Sequence, residues 1–422
     1  MAPAIPIPNG SPFTIQNIPF GVFKTKENGT SRCATAVGEH VLDLAKYAAS
    51  GRLNDLDFDG SFEHVFSQPA LNTFAALSHA VRRAVRARIQ EDIKSNAISE
   101  ESLIPLREVT MCLPMAMGGY SDFYCSLEHC RNCSVTMSTN NIPKNWFHAP
   151  SVYNGRVSSV IPSPTPIRRP KGVFFSSGVD SEPTYGPSRM LDFELEMGYF
   201  VSQPVAHGSE LRIEDAKEHI FGFVLLNDWS ARDLQLFEMR PLGPFHGKGF
   251  GTSISPWIVT LDALEQFSCA PKTKQDPPPF EHLTWKDPGT GALDVKLRVT
   301  LKRDGKSHQL ATSNLRYLYW TPYQQITHHA SAGCGLGTGD LMGTGTISGD
   351  AEDAHGNKLE LGCLYEATKA GTQSVALADG TELKYLHDGD EVVLEAWCGD
   401  SGDAEGMVLG FGACGGVVLA AS

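Results

Sequence analysis

The chain has 422 residues, 41% hydrophobic and 20% charged, the usage of a globular protein long enough for two domains and a sizeable core. Its 35 Lys and Arg against 48 Asp and Glu leave a net charge of −13. Nucleic acid and anionic membrane surfaces are therefore not expected partners, because both need clustered positive charge. No apolar run reaches the roughly 20 residues that cross a bilayer. The N-terminus has Pro where a signal peptide needs a continuous apolar stretch. A cytoplasmic location is expected, with the 10 Cys as reduced thiols.

The first elements read as a small β unit. Phe20 to Phe23, Ala34 to Val37 and Val41 to Leu44 are short β-rich runs between turns. A helix is predicted over about Leu71 to Ile93, where apolar residues recur at helical spacing with Arg between them. Leu103 to Met111 turns extended again and marks a boundary, giving domains at 1–113 and 114–422. Beyond it Gly, Pro and short apolar runs dominate. Leu195 to Val201, Ile220 to Leu226, Val295 to Leu301 and Glu391 to Ala396 read as strands, Pro271 to Phe280 as a loop, and Pro322 to Ala332 as a helix. The fold class is mostly β, of sandwich or barrel type.

Glu194 and Glu196 stand two apart in LDFELEMGYF, so on a strand they share one face. Two such carboxylates repel each other unless something positive lies between them. Asp228 ends the apolar run IFGFVLLND, and Asp122 lies in GGYSDFY, read as a turn. Hard oxygen donors without a soft ligand favour Ca²⁺ or Mg²⁺ over zinc or copper. Taken alone, Glu-x-Glu is also the pattern of an exposed strand face. In NDWSARDLQLFE the spacing sets Asp228, Arg232 and Gln235 on one face of a helical turn. Lys248 follows in PLGPFHGKGFGTSISPW, where small residues let the backbone approach a ligand. Cys130 and Cys133 form a CxxC with no second pair at zinc-site spacing. His328 and His329 are adjacent, about 100° apart on a helix, and read as structural. GLGTGDLMGTGTISG lacks the GK[ST] of a phosphate loop and reads as turns.

SDFYCSLEH, LDFELEM, NDWSARD, HGKGFGTSISPW and GTGTISG together resemble the fumarylacetoacetase family, and the resemblance runs through most of the chain. It implies a small N-terminal SH3-like β-barrel domain, a large C-terminal β-sandwich roll and a homodimer. It also implies hydrolysis of a carbon–carbon bond in a diketo acid, fumarylacetoacetate, to fumarate and acetoacetate at the end of tyrosine and phenylalanine breakdown. The family's cation ligands fall on Asp122, Glu194, Glu196 and Asp228, with a second cation position near Trp229, Lys248 and Thr252. The base that activates water falls on His129, read as lying in a loop, and the acid that orients it on Glu360. Oxyanion donors fall on Arg232, Gln235 and Lys248, and substrate contacts on Tyr124, Tyr153 and Thr346.

Three positions depart from the family pattern. Ser138 stands where a loop Arg grips a substrate carboxylate, Met239 replaces a substrate-contacting Tyr, and Asn154 interrupts the usual Tyr-His-Gly-Arg. A carboxylate without its charged bidentate partner loses about 1.5–3 kcal/mol. The reaction machinery thus reads as intact while the substrate grip is altered. Two alternatives follow: a paralogue acting on another acylpyruvate or β-diketone acid, and a non-catalytic scaffold.

Overall fold

The computed structural model describes residues 5–136, 141–177, 181–399 and 407–422. Its first sheet is antiparallel, in the order Leu103–Pro105, His40–Asp43, Arg32–Val37, Phe20–Thr25, Val109–Met111. The predicted helix begins later than expected, at His79, and ends at Lys94. Ser78 sets that start, its hydroxyl accepting from the Val81 backbone N–H. Val85, Ile89 and Ile93, four apart, form its buried stripe.

The central sheet runs Val152–Asn154, Tyr120–Phe123, Leu341–Gly343, Leu195–Val201, Ile220–Asp228, Thr252–Ile254, Val160–Pro162, with Val259–Thr260 also paired to Ile220–Asp228. The third sheet runs Lys306–Asn314, Lys296–Arg303, Glu391–Gly399, Met407–Leu419, Ile167–Arg168. Both faces of the central sheet are covered. Leu195, Met197, Tyr199, Phe223 and Leu225 pack into one core with Val299, Leu394 and Phe411 of the third sheet. Phe200, Val224, Leu226 and Leu341 pack on the opposite side with Phe20, Val22 and Phe74 of the N-terminal unit. Burial on both faces explains why IFGFVLLND is a nearly unbroken apolar run rather than an alternating one. Phe20 and Ile258 exchange backbone hydrogen bonds of 2.9 and 2.7 Å across the junction.

Most predicted strands stand within two or three residues of their expected limits. Two further expectations differ. Asp122 lies on the strand Tyr120–Phe123, paired in parallel to Leu341–Gly343, and not in a turn. His129 lies on a helix, Leu127–Thr136, and not in a loop. The polar composition of LEHCRNCSVT hid that helix, which is held by packing rather than by a strong apolar stripe. Among the described residues no helix is long and apolar enough to cross a membrane.

Candidate active site

The central sheet delivers its carboxylates to one end, where a cavity of about 290 Å³ opens. Asp122, Glu194 and Glu196 line one wall, His129 another, and Leu236 and Met239 the mouth. Glu194 and Glu196 share the cavity face while Leu195 and Met197 turn into the core, as the two-residue period requires.

Asp122, Glu196 and Asp228 come from three neighbouring stretches of the sheet, and their carboxylate oxygens lie within 4.8 Å of one another. All three are buried. Tyr153 Oη lies 2.9 Å from Asp122 Oδ2 and 3.2 Å from Asp228 Oδ2, and the Gly345 N–H donates to Glu196 Oε2 at 3.0 Å. Asp122 Oδ1 and Glu196 Oε1 have no hydrogen-bond partner. Burial, then the neighbouring carboxylates, push Asp122 and Glu196 well above the usual carboxylate range. Orphaned oxygens on crowded, buried acids are what a hard divalent cation satisfies, so the donor set fits Ca²⁺ or Mg²⁺.

Glu194, also expected as a ligand, pairs with two basic side chains. One of its oxygens faces the Lys248 ammonium and the other lies 2.8 Å from Arg232 Nη1. Burial opposes its charge, but Lys248 and Arg232 prevail and hold the carboxyl below its ordinary value. Lys248 Nζ also lies 2.6 Å from Asp228 Oδ2. Its ammonium is thus a counter-charge to the acids. Thr252 Oγ1 sits 3.5 Å from Asp228 Oδ1, beside the cluster, and the Trp229 indole donates to Ser253. Arg232 is engaged as well: Nε donates to Asp192 at 2.9 Å and Nη1 to Gln235 Oε1 at 3.1 Å. It therefore orients Glu194 and Gln235, and it lines the cavity together with Lys248 and Gln235. Asp228 ends a strand, so it does not share a helical turn with Arg232; the helix begins at Arg232.

The acid paired with His129 is Glu366, and not the expected Glu360. His129 Nδ1 lies 2.8 Å from Glu366 Oε2. Glu366 also accepts from Asn132 Nδ2 at 2.7 Å and from the Ser348 hydroxyl at 2.9 Å. Burial raises the Glu366 pKa, but His129 and these donors outweigh it and keep the carboxylate ionised. Glu360 instead accepts from Tyr317 Oη at 2.9 Å and the Ala351 N–H at 3.0 Å. The reason is local: a short helix, Leu364–Ala367, starts after Glu360 and turns Glu366 inward, with Asp192 accepting from the Leu364 and Tyr365 N–H groups at 2.8 and 2.9 Å. In KLELGCLYEA both acids sit at plausible distance along the chain, and spacing does not choose between them.

Tyr124 stacks edge-on to the His129 ring at 5.1 Å between centroids, and it lines the cavity with Tyr153 and Thr346. Asn154 is exposed and lines a separate cavity with Tyr153 and Lys248, and Ser138 lies outside the described residues. The Gly-rich run read as turns threads the strand Leu341–Gly343 through the middle of the sheet.

Two family descriptions cover nearly the whole chain: fumarylacetoacetase N-terminal over residues 16–114 and fumarylacetoacetate (FAA) hydrolase C-terminal over residues 119–418. The fumarylacetoacetase of Dictyostelium discoideum is 42% identical, with 99% of this chain and 97% of that protein covered. That of Homo sapiens is also 42% identical, with 99% and 98% covered. This chain belongs to the fumarylacetoacetase family. Solved structures share the fold at much lower identity. The fumarylacetoacetate hydrolase of Exiguobacterium antarcticum aligns with a TM-score of 0.53 at 16% identity, covering 96% of this chain and 99% of that one. The maleylpyruvate hydrolase of Sphingobium gives 0.53 at 15%, covering 96% and 100%.

Proposed function

We propose that this member of the family hydrolyses fumarylacetoacetate to fumarate and acetoacetate. One observation carries the reading: His129 of a buried His–Glu pair and Asp122 and Glu196 of a three-carboxylate cluster line a single cavity. His129 accepts a proton from water as that water attacks the ketone carbon, and Glu366 holds the imidazole tautomer and balances its charge. Lys248 and the Gln235 amide donate to the developing oxyanion. As the carbon–carbon bond breaks, the proton held by His129 goes to the carbon that leaves. Asp122, Glu196 and Asp228, with Glu194 beside them, would hold a divalent cation, which would supply Lewis-acid stabilisation of the enolate charge. Tyr124, Tyr153 and Thr346 contact the substrate, with Met239 and Leu236 at the mouth.

The same reading carries the family's SH3-like barrel over 1–113, its β-sandwich roll over 114–422, a cytoplasmic location and a homodimer. For the dimer the support is an apolar patch beside the cavity, where Leu242 is 96% and Phe245 66% exposed. The apolar mouth formed by Met239 and Leu236 also favours a second reading, in which the acid cleaved is another acylpyruvate with a less polar acyl group. The deciding assay follows loss of fumarylacetoacetate absorbance with Mg²⁺, with Ca²⁺ and with a chelator. Cation-dependent turnover in the usual range of about 1–10³ per second supports the first reading. No turnover by cation-loaded protein sinks it and leaves the second.

A further inference from the structure

The His129 neighbourhood contains sulfur that the hydrolytic reading does not use. Cys363 Sγ lies 3.3 Å from Glu366 Oε2. His129, Cys363 and Glu366 each offer a ligand atom, and the three atoms lie within 4.8 Å of one another. Cys133 Sγ lies 3.9 Å from His129 Nδ1 and 3.7 Å from Nε2. All four residues are buried, and His129 and Cys133 line the cavity, which gives an ion a way in.

We propose that His129, Cys363 and Glu366 form a second metal site, selective for zinc and other thiophilic ions, whose occupation switches hydrolysis off. Tetrahedral Zn²⁺, with bonds of about 2.0–2.3 Å, spaces its donors roughly 3.3–3.6 Å apart. The 2.8 Å nitrogen–oxygen and 3.3 Å sulfur–oxygen separations are already close to that. Cys133 is the nearest fourth donor. The CxxC lacked a second pair along the chain; folding supplies its partners from residues 363 and 366 instead. Ligand chemistry separates the two sites, because the oxygen-only cluster suits Mg²⁺ or Ca²⁺ while a thiolate and an imidazole suit zinc.

The proton balance explains the inhibition. Binding releases one proton from Cys363 Sγ, and the Nδ1 proton of the neutral, water-activating His129 is exchanged to Nε2. Zn²⁺ with one thiolate and one carboxylate is then neutral overall, as burial requires. A neutral imidazole bound through Nδ1 carries its hydrogen on Nε2. That nitrogen has no lone pair left to accept a proton from water. The binding stands on geometry alone, whereas the inhibition rests on the proposed hydrolase function.

The test is a Co²⁺ titration of the full-length protein with Mg²⁺ in excess, followed by zinc inhibition of turnover under the same conditions. One Co²⁺ per chain is expected, with sulfur-to-cobalt charge-transfer absorption that Cys363→Ala abolishes. The same variant should require at least about tenfold more zinc for inhibition. Should circular dichroism find Cys363→Ala unfolded, Cys363→Ser takes its place, keeping a hydroxyl beside Glu366 without the soft donor. Absence of the charge-transfer band, or an unchanged band in the variant, overturns the site. Zinc inhibition relieved by excess Mg²⁺ overturns the mechanism, since zinc would then act at the carboxylates. The cobalt band is measured without substrate, so it tests the site even if the substrate assignment fails.

Discussion

Replacing Glu366 by Gln keeps a hydrogen-bond acceptor beside His129 and removes its charge. Burial by itself lowers the His129 pKa, but Cys133 and Glu366 overcome this and raise it well above the usual histidine range. A base that must first lose a proton makes kcat/KM rise with pH. Without the Glu366 charge the histidine pKa falls, so Glu366→Gln should move the acid limb to lower pH while the plateau drops about 10²–10⁴-fold. The stability effect has a sign too: a raised histidine pKa stabilises the fold below the unfolded value, and this is lost as pH climbs through the folded one. Glu360→Gln should change turnover by less than about tenfold, because Tyr317 and Ala351 bond to it away from the cavity. Equal losses in both variants would remove Glu366 from the proton-holding role. The site residues themselves were legible as types: carboxylates two apart, Asp at the end of an apolar strand, Lys in a small-residue run. What eluded spacing was pairing. Glu194 answers Lys248 and Arg232, and Glu366 answers His129, because of side-chain directions that only the folded backbone sets.

At the scale of elements, the strand Leu341–Gly343 holds the carboxylate cluster at its working spacing. A methyl group on Gly343 would stand 2.9 Å from Asp122 Oδ1 and 3.2 Å from Glu196 Oε2. It would press on the orphaned Asp122 oxygen and on the Glu196 oxygen that accepts from the Gly345 N–H. Gly343→Ala should therefore weaken Mg²⁺ or Ca²⁺ binding by at least about tenfold, equal to 1.4 kcal/mol, measured by calorimetry. Unaltered affinity would place the ion away from these oxygens. The long strands were readable because both faces are buried and their sequences are apolar throughout. The three-residue strand at 341–343 and the helix at Leu127–Thr136 were not, since one is Gly-flanked and the other polar, and each is held by neighbours distant in sequence.

For the molecule as a whole, among the described residues Lys248 pairs with only one of the three clustered acids, Asp228, and Glu194 also claims it. Supplying a divalent cation should raise the thermal midpoint, and a chelator should lower it. At a hundredfold excess over Kd the gain is about 2.7 kcal/mol. A midpoint indifferent to both would mean that the cluster holds no ion in solution. The mostly β class was plain from composition. The shared core between the N-terminal sheet and the central sheet was not, because Phe20 and Phe74 meet Phe221 and Leu226 only through tertiary packing. The strand order has one further consequence, for synthesis. Leu341–Gly343 lies between the strands bearing Asp122 and Glu196. At about 5–20 residues per second, Asp122 waits roughly 10–45 s on the ribosome before Leu341–Gly343, one of its strand's two neighbours in the sheet, is made. Asn17, whose amide donates to Gly410 O at 2.6 Å, waits longer still. Nascent chains ending before residue 341 carry the acids but not the cluster, so the ion can be captured only late in translation.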